Sequence, residues 1–370
     1  MSTLTTFEEV FAVLFIISML VSITINSLCL LGMTRRYHRR RFRDYLFISL
    51  TICDILRVVF TTPFEVRGLL NHSLSGEEFI CKPISFFFYM LEFTSISHIL
   101  LVVVDRYICL CRPTQALNLY LKPKRIYQAI LLSYLNGCFW AFLPLVGVGS
   151  YGFQIHEIQC GLKPLHDIQS KVYICLVLIL ANGVPITISC VCVFLIKKKV
   201  NTKIGKVGVN NNNKIKNNKI STTSTNSDNN NSSGNSNENN RNNNNNKNNN
   251  RNRKESKGRK DLLTYFAKDK KQVQMILALV LTFIMTWFVY DIILFEEIFF
   301  ADEPNTYLEV ISNFIAHSSA LITPIIIFYY NPDLQQTIYR MVGYRRGEVG
   351  SKSIRIPKTS DVLSINDNHT

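Results

Sequence analysis

Apolar residues along this chain gather in long runs separated by shorter polar stretches, rather than in the brief periodic segments of a soluble domain. A bilayer core about 30 Å thick takes roughly 20 apolar residues of helix to cross. Seven runs reach this length, near residues 10–33, 45–67, 82–109, 127–149, 171–197, 272–297 and 307–330. The pattern therefore predicts an all-α fold, a bundle of seven transmembrane helices.

The composition supports a membrane protein rather than two soluble domains. Of the 370 residues, 47% are hydrophobic, and the mean hydropathy is +0.12, which is too apolar for ordinary soluble domains. The first run continues past Asn26 to a basic cluster, so we expect it to stay in place as a signal anchor. Residues 1–9 then form a short extracellular N-terminus.

The net charge of +15 lies in alternate loops, so it indicates topology rather than nucleic-acid binding. The basic residues after spans one, three and five are Arg35, Arg36, Arg39, Arg40, Arg41, Arg43, Arg112, Lys122, Lys124, Arg125, Lys197, Lys198 and Lys199. The acids of the opposite loops are Glu8, Glu9, Glu77, Glu78, Glu296, Glu297, Asp302 and Glu303. The positive-inside rule predicts an extracellular N-terminus and a cytoplasmic C-terminus, and we expect a multi-pass protein of the plasma membrane.

Between spans five and six the composition changes in kind. Spans one to five occupy residues 10–199, and spans six and seven occupy 261–330. The Asn-rich stretch at 200–260 has almost nothing apolar to bury, which predicts a disordered third cytoplasmic loop. Residues 331–346 read as an amphipathic helix on the membrane surface, with Leu334, Ile338, Tyr339 and Met341 toward the lipids. The polar tail is 347–370.

Two of the ten cysteines, Cys81 and Cys160, fall in predicted extracellular positions. An oxidising compartment favours their pairing, and the alternative is two free thiols. Cys pairs with zinc-ligand spacing are absent from the sequence. The extracellular sequon begins at Asn71, and its closeness to the membrane leaves its glycosylation open.

Polar residues inside the spans cost about 2.5–3.5 kcal/mol each and need a reason. Span one holds Asn26, span two holds Asp54 in Leu50-Thr51-Ile52-Cys53-Asp54, and span three ends on Asp105-Arg106-Tyr107. This ordered set resembles the rhodopsin-like (class A) G-protein-coupled receptors, which also place a disulfide cysteine 25 residues before the arginine, the separation of Cys81 from Arg106. Four further residues stand at the family's motif positions: Pro185, Phe283, Trp287 and Pro324.

The resemblance implies a receptor that couples to a heterotrimeric G protein. Asp105 would hold Arg106 at rest and release it when span six swings outward, and Trp287 would be a rotamer switch beneath the ligand pocket. The alternatives are an interfacial ion pair with a purely topological role and a tryptophan that only packs.

Within the family, the segments Trp140–Gly147, Ser150–Gly152 and Cys160-Gly161 resemble the opsin passage from span four into the second extracellular loop. Residues 316–320 resemble the opsin stretch that carries the retinal lysine, but His317 stands at that lysine's position. An imidazole cannot form the Schiff base that a primary amine makes, and span seven holds no lysine. We therefore expect no retinal cofactor. Other departures from the family pattern are Ile84, Val193, Val289, Thr323 and Ile327.

The resemblance also outlines a ligand pocket, formed by Arg57, Phe88, Glu92, Trp287, Tyr290, Asp291 and His317. Phe88 stands where amine receptors have an aspartate, which disfavours amine ligands. Acids at the outer ends of spans six and seven would attract a cationic ligand such as a basic peptide, unless they are solvated loop charges. These acids are Asp291, Glu296, Glu297 and Glu309.

Asp54, Ser95 and Ser319 resemble the family's sodium site, although Arg57, one helical turn from Asp54, is placed to fill that space with its own charge. Because unpaired buried charges are costly, we expect Glu92 to accept hydrogen bonds from Arg57, His317 or both. The alternative has Arg57 paired with Asp54, Glu92 protonated and His317 a packed neutral imidazole.

Three functions fit the sequence. The first is an opsin-like receptor that responds to a diffusible ligand or signals constitutively. The second is a light sensor with noncovalent retinal, and the third is a non-signalling seven-helix transporter or scaffold. No catalytic constellation is visible in the sequence, so we expect no enzyme activity.

Overall fold

The computed structural model describes residues 2–35, 42–71, 78–112, 115, 124–154, 159–163, 167–202, 270–300 and 305–343. Within these ranges, seven helices are long and apolar enough to cross a membrane, which confirms the predicted fold. They are α1 (Ser2–Thr34), α2 (Phe42–Asn71), α3 (Glu78–Cys111), α4 (Lys124–Phe142), α5 (Ile168–Thr202), α6 (Lys270–Phe299) and α7 (Thr306–Tyr330).

The helices extend beyond the apolar runs from which they were predicted. α1 begins at Ser2, so most of residues 1–9 is helical, and α5 continues to Thr202, past the predicted end of span five. A helix satisfies its own backbone hydrogen bonds, and it can therefore continue through the headgroup region where the sequence is no longer apolar. The predicted Asn-rich loop from residue 203 onward and the tail at 347–370 lie outside the described residues.

Local side-chain hydrogen bonds fix where several helices begin. Asn305 accepts from the backbone N–H of Tyr307 at the start of α7, and Asp167 accepts from Ser170 at the start of α5. These are N-caps, which satisfy donors that the first helical turn leaves free. The hydrogen bonds from Ser170 hold the pKa of the Asp167 carboxyl below its ordinary value.

α8 (Pro332–Met341) follows α7 directly and is shorter than the predicted 331–346 helix. Its apolar residues Leu334 and Ile338 are buried, and both would meet a Cβ added at Gly32 of α1 at under 3.0 Å. The expectation that Leu334 and Ile338 face the lipids is therefore wrong, because a glycine in α1 lets this helix pack against the bundle.

A two-stranded antiparallel sheet lies between α4 and α5, and the sequence analysis did not predict it. Strand β1 (Tyr151–Phe153) pairs with β2 (Cys160–Leu162). Tyr151 is buried and its hydroxyl donates to the carbonyl of Ala141 at 2.9 Å, and this burial raises the pKa of the Tyr151 phenol well above its ordinary value. The predicted disulfide between Cys81 and Cys160 is present and joins β2 to the N-terminal end of α3.

Within α5 the backbone departs from the α-helix at Val177–Gly183, which forms a π-helical segment. The N–H of Val184 bonds to the carbonyl of Ile179, five residues back. Pro185 follows and has no N–H to donate. Gly183 suits the segment, since a Cβ there would lie 2.9 Å from the carbonyl oxygen of Leu178.

Candidate functional site

At the C-terminal end of α3, Arg106 is buried between two partners. Its Nε and Nη2 donate to Oδ2 of Asp105 at 2.8 and 2.6 Å, and its Nη1 donates to Oε1 of Gln272 in α6 at 2.8 Å. The guanidinium therefore ties α3 to α6. Tyr107, the last residue of the motif, packs beside a buried cluster formed by Leu110, Ile196, Val200 and Val273.

Gln272 is a functional candidate that the sequence analysis missed. It is buried at the start of α6, where the apolar pattern begins and a glutamine gives no periodic signal. One signal could have identified Gln272. It lies on the same helix as Trp287, at the end of that helix that faces Arg106.

In the middle of the bundle, Arg57 of α2 lies between two carboxylates. Its Nη1 donates to Oε2 of Glu92 in α3, and its Nη2 donates to Oγ of Ser319 in α7 at 2.8 Å and to Oδ1 of Asp54 at 3.4 Å. All four side chains are buried. Arg57 thus joins α2, α3 and α7, and it combines the two arrangements that the sequence left as alternatives.

Two carboxylates share this one guanidinium, so part of the cluster lacks hydrogen bonds. Oδ2 of Asp54, Oε1 of Glu92 and Nε of Arg57 have no partner among the described residues. Of the residues that resemble a sodium site, Ser319 accepts from Arg57, whereas the hydroxyl of Ser95 donates to the carbonyl of Leu91 in its own helix. In the part of the chain that the structure describes, His, Cys, Asp and Glu form no group of three that could hold a metal ion.

His317 does not join this cluster, so of the two expected donors to Glu92 the structure has Arg57 in place and not His317. Its Nε2 lies 2.7 Å from Oε1 of Glu65, a residue of α2 that the sequence analysis overlooked. The imidazole stacks on Phe88 with ring centroids 5.3 Å apart, and Phe15 meets its edge.

Trp287 sits in a column of aromatic rings that runs along the inner face of α6. Phe283 stacks below it at 6.2 Å, Tyr290 meets it edge-on at 5.7 Å, and Phe88 approaches at 5.9 Å. The guanidinium carbon of Arg57 lies 5.7 Å from the tryptophan ring. The predicted switch residue therefore contacts the buried ion cluster directly. Pro324 is buried inside α7.

Buried amides connect the sheet to α6 and α7. Gln154 donates to the hydroxyl of Tyr290 at 3.1 Å and accepts from Gln159. Gln159 also donates to Glu309 at 3.1 Å and accepts from Asn313. The segment that carries β1 and β2 therefore closes over α6 and α7, and no sequence motif pointed to these three amides.

The acids of α6 and α7 differ from one another in their surroundings. Asp291 accepts from Asn182 of α5 at 3.3 Å. Glu297 and Glu309 are each only 4% exposed, so solvated loop charge does not describe them, whereas Glu296 is exposed. Asn71 is the last, exposed residue of α2.

Similarity to solved structures and curated proteins agrees with this architecture. The structure matches the crystal structure of squid rhodopsin with a TM-score of 0.73 and 15% identity, over 99% of this chain and 93% of that one. An identity this low shows the fold alone.

Sequence relatives include melanopsins, an opsin and an olfactory receptor. The chain is 24% identical to melanopsin-A of Gadus morhua over 54% of its own length and 36% of that protein. It is 26% identical to opsin-5 of Mus musculus over 37% and 36%, and 22% identical to olfactory receptor 14L1 of Homo sapiens over 54% and 65%. The chain spans about a third of the length of melanopsin-A and opsin-5.

The family model described as 7 transmembrane receptor (rhodopsin family) matches residues 25–327. That range begins just before Asn26, ends just after Pro324, and includes the ion cluster and the α3–α6 contact. The chain therefore belongs to the rhodopsin family of seven-transmembrane receptors, with opsins among its relatives.

Proposed function

We propose that this protein is a G-protein-coupled receptor that signals to heterotrimeric G proteins. It either transduces an extracellular signal carried by a diffusible ligand or signals constitutively. The observation that carries the proposal is the contact of Arg106 with Gln272, which holds the cytoplasmic ends of α3 and α6 together. A receptor needs such a contact to have two states, since a signal acts by shifting the balance between them.

The chemistry of this contact supports a switch. Hydrogen bonds to a charged group contribute about 1.5–3 kcal/mol each, which is large enough to hold α6 inward and small enough to be overcome by ligand binding. When α6 moves away, Arg106 loses Gln272 and turns a free donor toward the cytoplasm. A G-protein segment with backbone carbonyls or an amide could then accept from it.

The distribution of charge supports the orientation. Four described basic residues, Arg67, Lys82, Lys163 and Lys171, lie toward one end of the bundle. A larger set lies at the other end, at the end of α1, the start of α4, the end of α5 and the start of α6: Arg35, Lys124, Arg125, Lys197, Lys198, Lys199, Lys270 and Lys271. With the positive-inside rule, this end is cytoplasmic. The protein then sits in the plasma membrane with its N-terminus outside and with Arg106 facing the G protein.

Replacing Gln272 with alanine is expected to raise basal signalling. If about 1 kcal/mol of this hydrogen bond is specific to the resting state, its loss raises the active fraction about five-fold. The measurement is GTP-analogue binding by a panel of purified G proteins in membranes that contain equal amounts of receptor.

The matched control is Gln274→Ala, which removes an exposed glutamine from the same helical turn. The proposed coupling would be contradicted if basal exchange in Gln272→Ala were no higher than in Gln274→Ala and in the unmodified protein. The panel of G proteins must respond to a known receptor in the same assay.

We expect the purified protein to form no pigment with retinal, because the histidine at position 317 cannot make a Schiff base. No visible absorbance band and no acid-trapped retinal adduct should appear. The informative control is His317→Lys, which restores a primary amine at the same position beside Glu65. A light-sensitive absorbance band in the unmodified protein would contradict the assignment as a receptor for a diffusible ligand. It would identify the protein as a light sensor instead.

A further inference from the structure

On the extracellular side of Arg57, a narrow cleft opens between the helices and the β1–β2 segment. It has about 330 Å³ of unfilled space, its open mouth included, and its closed interior has room for a group of about the size of one water molecule. Its lining comes from α2, α3, α6, α7 and the end of β1, through Phe64, Glu65, Phe88, Tyr290, Asn313 and Gln154.

Glu65 is the one ionisable carboxylate of this lining, and half of it lacks a partner. Its Oε1 faces Nε2 of His317 at 2.7 Å and Nδ2 of Asn313 at 3.4 Å. Its Oε2 is buried with no hydrogen-bond partner among the described residues. A buried carboxylate oxygen without a donor is costly, so the cleft is suited to a ligand that brings one.

A second buried group near the cleft is also unsatisfied. His317 is 6% exposed, and neither of its nitrogens has a hydrogen bond within the described ranges, because the short contact with Glu65 lacks hydrogen-bond geometry. The imidazole therefore leaves the carboxylate only partly compensated.

The surroundings favour a positive charge. The lining contains no Lys, Arg or His. Glu309, one helical turn from Asn313, is buried nearby, and among the described residues its side-chain donor is the amide of Gln159. Phe88 and Phe64 add aromatic rings, which attract cations through their faces. An anion would meet this field unfavourably.

The size of the interior narrows the chemistry further. A primary ammonium is about as large as a water molecule and carries three donors, whereas a guanidinium or a trimethylammonium is several times larger. We propose that the cleft binds the primary ammonium head of a ligand, with Glu65 as its counter-charge. This inference rests on the proposed receptor function and names the ligand class of that receptor.

The proposal also corrects the argument against amines, which considered α3 alone. Phe88 occupies the place of the aspartate there, but the structure brings a carboxylate to the same cleft from α2. The phenyl ring of Phe88 then lies beside the ligand instead of pairing with it.

Thermal unfolding of the purified receptor tests the inference with 2-phenylethylamine as the probe. A ligand that binds the folded state raises Tm, and we expect a rise of at least about 2 °C at about 10 mM amine. The neutral 2-phenylethanol and the bulkier trimethylated ammonium of the same skeleton should give none. Equal shifts with all three probes, or no shift with the primary amine, would overturn the proposal.

Variants locate the site. Glu65→Gln should abolish the shift, and the exposed Glu296→Gln should keep it. If Glu65→Gln folds poorly, Glu65→Asp is the alternative, because it keeps the charge and moves the carboxylate away from the cleft by the length of one methylene. We expect the amine concentration that gives half of the maximal Tm shift to rise about ten-fold in Glu65→Asp. An unchanged response in Glu65→Asp would place the amine elsewhere. An amine-dependent rise in Tm, in a protein whose Gln272→Ala variant leaves basal G-protein exchange unchanged, would keep the site and remove the receptor function.

Discussion

Replacing Arg57 with alanine is expected to keep most of the protein from reaching the cell surface in a folded form. The variant would leave Asp54 and Glu92 as buried carboxylates without a guanidinium, and removal of one partner from a buried ion pair costs about 3–5 kcal/mol. That is a large part of the roughly 5–15 kcal/mol by which proteins are stable. Surface labelling and the monodisperse fraction after solubilisation measure the effect.

Two variants make this prediction specific. Arg67→Ala removes an exposed arginine from the same helix and should express normally. Arg57→Ala combined with Asp54→Asn and Glu92→Gln removes the uncompensated charges, and it should recover part of the yield.

The same cluster should restrain signalling. Glu92→Gln weakens the tie between α2 and α3 while it leaves Arg57 with Asp54 and Ser319, so basal G-protein signalling should rise at matched surface expression. An unchanged basal signal in Glu92→Gln, together with normal expression of Arg57→Ala, would reject a structural role for the cluster.

The second large effect is expected from loss of the disulfide. Cys81 and Cys160 are 79 residues apart, and the chain-entropy relation gives about 4.5 kcal/mol for a crosslink of that length in a free coil. Because the bilayer already restricts the unfolded chain, this is an upper value. We expect the double variant Cys81→Ser/Cys160→Ser to lower Tm by about 10 °C.

Cys190→Ser is the control, since Cys190 is an exposed free thiol in α5. The double variant should also lose stabilisation by amines, because β2 contributes Cys160 to the wall of the cleft. A double variant with the Tm of the unmodified protein would show that the β1–β2 segment holds its place without the crosslink.

The sequence was sufficient for the bundle because a bilayer imposes a length and an apolar composition on every span. It was also sufficient to single out Arg57 and Glu92, since charges within spans are few and must have partners. It could not choose between Glu65 and Glu92 as the neighbour of His317. That choice depends on the rotation of α2 and α7 about their axes, which side-chain packing decides and local sequence does not encode.

The amide residues were missed for a different reason. Gln154, Gln159 and Gln272 have no periodicity, no titratable charge and no spacing that chemistry demands, so each is visible only when its partner is in place. The sheet was missed because its strands are three residues each, shorter than the alternation that identifies a strand.

The π-helical segment of α5 changes the direction in which side chains point before and after it. A π turn holds one residue more than an α turn, which rotates every later side chain by about 100°. Ile196 and Val200, which follow the π-helical segment, contact Val273 of α6 in this rotated orientation. Any comparison that counts residues along α5 from its N-terminal end must therefore insert one position at Val177–Gly183, or it will assign the wrong residues to the contact with α6.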